Sequence, residues 1–194
     1  MKAIRVMMPV AMAVVLMAGC RGPKAQSDKT IFGMMQEKAN AITDAGGLAA
    51  VGIGSSRTVN LALDKAKTRG RTELAMILET KVDAMKKDFQ EEIGEGQAGS
   101  ELNALFTAAS KNIAHTTLSG SVPKDLKYET GKEGEITAYA LMVVDPKVVS
   151  DAFANQANSQ RNMYTRFRAS QAFAELDQEI KKYEDFKKAD GMVP

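Results

Sequence analysis

Leu48-Ala-Ala-Val-Gly-Ile-Gly54 is a short apolar run closing on Ser55-Ser56, and together with the repeat that follows it decides the fold. An almost wholly apolar run bounded by a Gly pair and a Ser pair reads as a buried strand. After it, Leu63, Ala66, Gly70, Leu74, Leu78, Val82, Met85 and Phe89 recur in steps of three or four, which is one stripe of a long helix. Lys65, Lys67, Arg69, Arg71, Glu79, Lys81 and Lys86 lie between them as a solvated face. The first half of the stripe is small (Ala62, Ala66, Gly70), so the helix can lie close to a sheet. Gly52 and Gly54 raise the alternative of a phosphate-binding turn. That turn needs a third glycine at fingerprint spacing or a Gly-Lys-Ser/Thr, and neither is present. The pair therefore reads as the place where the helix crosses closely over the strand.

Downstream, Glu95-Gly-Gln-Ala-Gly99 is a loop, and Ser100 with Glu101 opens a helix whose Leu102, Leu105, Phe106, Ala109 and Ile113 share one face. His115, the only histidine, points about 220° away from Leu102 at a helical repeat of about 100° per residue. Strands are predicted over Leu118 to Thr130 and Glu135 to Val144, flanking the turn Gly131-Lys-Glu-Gly134. Tyr128 and Tyr139 are placed across this hairpin, either as a stabilising aromatic pair or as the lining of a planar-ligand site. Asp145-Pro146 caps a C-terminal helix over about 146–188, with a bend expected at the polar stretch Asn155 to Asn162. Beyond that stretch Phe173, Leu176, Ile180 and Tyr183 form an apolar stripe. The expected role of the stripe is contact with a partner or a second copy of the chain, the alternative being that it completes its own domain.

Upstream, Ile31, Met35, Ala39 and Ile42 mark a short amphipathic helix stopped by Gly46-Gly47. Residues 20–30, polar and turn-rich from Arg21 to Asp28, read as a flexible tether. Before them Lys2 and Arg5 precede an apolar core from Val6 to Ala18, thirteen residues long against the roughly 20 needed to span a bilayer. Residues 1–19 thus read as an export signal rather than a membrane span. Met17-Ala18-Gly19-Cys20 resembles a bacterial lipobox, with Met17 where that pattern prefers Leu. The resemblance implies cleavage before Cys20 and acylation of its sulfur. Arg21, in place of an aspartate that resembles an inner-membrane retention signal, favours the outer membrane.

The Ala50-Val-Gly-Ile-Gly54 strand, the helix with Ala62 and Ala66, then Glu73-Leu74-Ala75 and Val82, resemble the bacterial envelope lipoprotein family known as Lpp-twenty over roughly residues 48 to 144. The resemblance implies a sheet of few strands packed on one long helix, likened to the dodecin arrangement, and no established enzymatic activity. It carries over no catalytic residue.

Charge adds one exclusion. Lys2 and Arg5 are the only charges before Cys20, so the full chain's formal +2 belongs to the signal and the remainder is neutral. The precursor's basic character is thus no sign of nucleic-acid binding. With one cysteine the chain has no internal disulfide. His115 lacks the companions a metal site or a Ser-His-Asp device requires. Glu91, Glu92 and Glu95 read as a solvated helix end, and Arg161, Arg166 and Arg168 with Tyr164 and Phe167 as arginines flanking a packed aromatic edge. The expected protein is a single α+β domain over residues 31–194, in the order α-β-α-α-β-β-α, with a small three-stranded antiparallel sheet packed on a long helix and a long C-terminal helix. Its expected role is that of a non-catalytic lipoprotein of the cell envelope, lipidated at Cys20 and without metal or cofactor. Its partners would be the membrane and, beyond it, a second copy or an envelope protein. The alternative is a periplasmic small-ligand-binding module of dodecin-like architecture.

Overall fold

The computed structural model describes residues 30–94 and 99–189. Helix α1 (Ile31–Asp44) leads into strand β1 (Leu48–Ser56), the long helix α2 (Val59–Ile93) and helix α3 (Gly99–Gly120). The hairpin β2 (Val122–Thr130) and β3 (Ile136–Val144) follows, then α4 (Lys147–Ala154), α5 (Arg161–Arg168) and α6 (Gln171–Ala189). The sheet has the order β1-β3-β2 and is antiparallel throughout, so the α+β architecture is the expected one.

Each strand puts alternate residues on opposite faces, and both faces of β1 and β3 are covered. Leu48, Ala50, Ala138, Ala140, Met142 and Val144 join the core beneath α2. Ala49, Tyr139 and Leu141 join a second core with Met35, Ala39 and Ile42 of α1 and Tyr183 of α6. This explains why β3 changes from polar alternation to a continuous apolar run: Ala140, Leu141 and Met142 are fully buried from both sides.

The crossing of α2 over β1 is set by glycine. A Cβ built on Gly52 would stand 2.0 Å from the Ala66 carbonyl oxygen and 2.3 Å from the Gly70 nitrogen. One on Gly54 would stand 2.4 Å from the Ala62 oxygen. The stripe of small residues and the glycine pair are thus two halves of one contact, with helix backbone resting on strand backbone.

At about 1.5 Å per residue, α2 runs for about 52 Å, far beyond the strands. Its far half carries Leu78, Val82, Met85 and Phe89 into a helical layer formed with α3 to α6. Phe167 is the centre of that layer. Its ring lies 5.2 Å from Phe89, 5.0 Å from Phe106, 4.5 Å from Phe153 and 5.4 Å from Phe173, centroid to centroid. Edge-to-face pairs at such distances add to the burial itself.

Helix boundaries follow local chemistry. α1 ends in a Schellman motif: Gly46, at φ +88°, donates its N–H to the Thr43 carbonyl while Gly47 donates to that of Ile42. The predicted strand start at Leu118 is corrected, because α3 continues to Gly120. Thr117, four residues after Ile113, falls on the buried face and keeps the helical period, despite the β-branched pair Thr116-Thr117. The helix expected over about 146–188 breaks at the polar stretch where a bend is expected, and a further break at Ala169-Ser170 divides it into three. The chain turns at Asn155–Gln160, and a new helix starts at Gln171, whose N–H donates to the Glu92 carboxylate at 3.1 Å. Ser170 Oγ accepts the Phe173 N–H at 3.3 Å. Asp145 does act as a cap, accepting the Lys147 N–H at 2.9 Å, and its carboxylate also pairs with Lys187 at 2.6 Å. That pair fastens the end of α6 beside the start of α4.

Candidate functional site

Cys20, the residue expected to carry lipid, lies outside the described residues, as do Glu95 and Gly191. The chain enters the fold at Thr30, whose side-chain oxygen accepts the Gly33 N–H at 3.1 Å and caps α1.

Tyr128 and Tyr139 do not meet, which corrects both readings of that pair. The hairpin register sets Tyr128 opposite Ala138 and Tyr139 opposite Lys127, one residue out of step, so the two rings point to opposite faces. Tyr139 is buried against α1 near Phe32, with centroids 6.5 Å apart, and its hydroxyl donates to Glu129 at 2.6 Å. That hydrogen bond, then burial, then the Glu129 charge, push its phenol up to about 12. Tyr128 is 53 % exposed on the α2 side of the sheet.

The stripe of Phe173, Leu176, Ile180 and Tyr183 is likewise corrected as a partner surface. Phe173 and Leu176 belong to the helical core with Ile180 packed against it, and Tyr183 closes the second core beneath α1. Burial, then the nearby Asp145 carboxylate, raise the Tyr183 phenol above its ordinary value. The turn at Ala169-Ser170 folds α6 back onto α2, where Lys81 and Glu179 form an ion pair. The segment therefore completes its own domain.

His115 is exposed on α3, away from the buried face, as its angle predicts. Arg161, Arg166 and Arg168 are exposed around the buried Phe167, and the Arg168 guanidinium lies 5.1 Å over the Phe173 ring. Among the described residues no group of three or more His, Cys, Asp or Glu is placed to hold a metal ion, and no helix is long and apolar enough to cross a membrane.

Among the concavities of the described residues, two with apolar linings lie at the edges of the cores. One, of about 410 Å³, lies between α1, the β2–β3 strands and α6. Its floor is Ala41, Ile42, Leu141 and Phe186, and its rim carries Lys38, Lys124 and Asp125, with Lys38 and Asp125 paired at 2.5 Å. The other, about 290 Å³, runs between α2 and α3 past Leu78, Val82 and Ile113. Both can accept an apolar group beside a charge, and the second also carries Glu79, Asp83 and Ser110, whose hydroxyl donates to the Phe106 carbonyl at 2.8 Å.

The two sheet edges differ, which sequence alone did not reveal. Along β1 the outward carbonyls of Ile53 and Ser55 are taken by Arg69 at 2.8 Å and Lys65 at 2.9 Å, both reaching back from α2. These two cations, read from the sequence as part of a solvated face, close an edge. On β2, by contrast, Leu126, Tyr128 and Thr130 are exposed. Compared with protein families, curated proteins and solved structures, the chain matches none.

Proposed function

We propose that the protein is a membrane-anchored bacterial lipoprotein with a non-catalytic structural or interaction role in the cell envelope, the outer membrane being the favoured site. The observation that carries this is the Met17-Ala18-Gly19-Cys20 stretch behind a basic start and a thirteen-residue apolar core. Between Cys20 and Thr30 the extended chain reaches at most about 33–36 Å, so lipid at Cys20 would hold the domain close to the bilayer. Two or more acyl chains, at about 0.8 kcal/mol per buried CH₂, make such attachment stable. The test is Cys20→Ser in the full chain, followed by fractionation and a salt wash. Release from the membrane or accumulation of unprocessed precursor is expected. Complete retention of a processed chain in the membrane would place the anchor elsewhere.

A second reading, a small-ligand-binding module, is favoured by the 410 Å³ cleft and its apolar floor. Native mass spectrometry of the purified chain tests it. A bound species displaced by Ala41→Trp, at an exposed position lining the cleft, would support it, and a bare chain would count against it.

A further inference from the structure

We propose that β2 is a self-pairing edge, joining its counterpart in a second copy of the chain as an antiparallel two-fold pair centred on Tyr128. The register follows from the hairpin. The Gly131 N–H donates to the Glu135 carbonyl at 2.7 Å, and these two residues continue the β2–β3 pairing through Thr130 opposite Ile136. In an antiparallel ladder hydrogen-bonded and non-hydrogen-bonded pairs alternate. Glu129, Lys127 and Asp125 therefore direct their backbone groups inward to β3, and Thr130, Tyr128 and Leu126 direct theirs outward. The same alternation carried to β1 turns the Ile53 and Ser55 carbonyls outward, where Arg69 and Lys65 meet them. Among the described residues no side chain is bonded to the outward groups of Leu126, Tyr128 or Thr130, so β2 is the open edge.

How far a strand can add there is limited at one end. Pro123 has no N–H to offer, and the register shifts between Pro123 and Asp125, the bulge and proline by which edges are ordinarily blunted. The usable edge is Leu126 to Thr130. Only residues with outward groups can exchange hydrogen bonds, and a two-fold pair that uses all three sets Tyr128 against Tyr128 of the second copy and Leu126 against Thr130.

Charge then selects the occupant. In that register Lys127 faces Glu129 of the second copy, and Glu129 faces its Lys127, on one face of the new sheet. On the other face Leu126, 40 % exposed, and Tyr128, 53 % exposed, lie against Thr130 and Tyr128. A second copy thus satisfies the backbone, the charges and the exposed apolar surface in one arrangement. The proposal is independent of lipid at Cys20.

Every contact described above lies between residues 30 and 189, so the chain from Arg21 to Pro194 retains the whole fold and lacks the cysteine. Sedimentation velocity of that chain, over concentrations reaching the millimolar range, should show reversible dimers. Lys127→Glu alone and Glu129→Lys alone each set like charges opposite one another twice and should weaken association by about tenfold or more. An equimolar mixture of the two variants restores both opposite-charge pairs and should dimerise as the parent does. Circular dichroism confirms that each variant is folded. A third variant, Tyr128→Cys, places two thiols across the axis at a Cα separation of about 5.5 Å, within disulfide reach, and should give a covalent dimer on mild oxidation. A monomeric parent across the series, single variants that associate like the parent, or a mixture that fails to recover would each overturn the proposal.

Discussion

Replacing Gly52 with alanine tests the contact on which the fold is built. The new methyl would sit 2.0 Å from the Ala66 oxygen and 2.3 Å from the Gly70 nitrogen, whereas ordinary contact begins at 3.4 Å. Both neighbours are backbone atoms of a hydrogen-bonded helix, so neither can rotate aside. α2 has to lift from β1 by roughly 1 Å or more. A gap of that size forfeits about a quarter to a half of the dispersion energy of the contacts it opens. Those contacts include Ala62, Ala66 and Leu74, all fully buried. Overpacking in a core usually costs about 1–3 kcal/mol, and with a rigid neighbour the upper end applies, about 3 kcal/mol or more. For a domain of this size that lowers Tm by about 6–12 °C. Urea denaturation followed at 222 nm measures it, with Gly99→Ala as control, since nothing lies within 4 Å of a Cβ there. The control should stay within about 1 kcal/mol of the parent. Gly52→Ala within the same margin, at an unchanged m value, would refute the close crossing.

Leu74→Ala, at a fully buried site under the sheet, should cost about 2–5 kcal/mol by urea denaturation as transfer plus cavity, whereas Lys87→Ala, on the exposed face of the same helix, should move little. Removal of residues 169–194 should abolish the cooperative melt, because it strips Phe173 and Leu176 from one core and Tyr183 from the other; a sharp transition in the truncated chain would contradict their placement. Tyr139→Phe should cost about 1 kcal/mol at neutral pH, the hydrogen bond to Glu129 being discounted because Glu129 is exposed. The phenol's raised pKa means that the folded state holds the proton more tightly. The Tyr139 contribution is therefore complete below pH 10 and lost as pH rises from 10 toward about 12, so the difference between parent and variant should shrink across that window in alkaline melts.

Much of this fold is legible in the chain because its period is uninterrupted where it matters. The stripe from Ala66 to Phe89 repeats for the length of α2, and Gly52 and Gly54 meet the small residues at its start. The hairpin turn is written in Gly131 and Gly134, the latter at φ +75°. Register is not so written. A shift of one residue sends Tyr128 and Tyr139 to opposite faces, and only the pairing of Thr130 with Ile136 fixes which. The C-terminal stripe has the same appearance whether it meets a partner or its own domain. What decides is the turn at Ala169-Ser170 and the Glu92 carboxylate at the start of α6, which is 79 residues distant in sequence from Gln171. Lys65 and Arg69 look like any solvated cations until the β1 edge is seen beneath them.

The most direct test of membrane anchoring is the mass of the N-terminal peptide of the mature chain, released by protease from native membranes and read by tandem mass spectrometry. The expected peptide begins at Cys20 and carries diacylglycerol on its sulfur. A peptide that begins elsewhere, or an unmodified Cys20 in the mature chain, would contradict it.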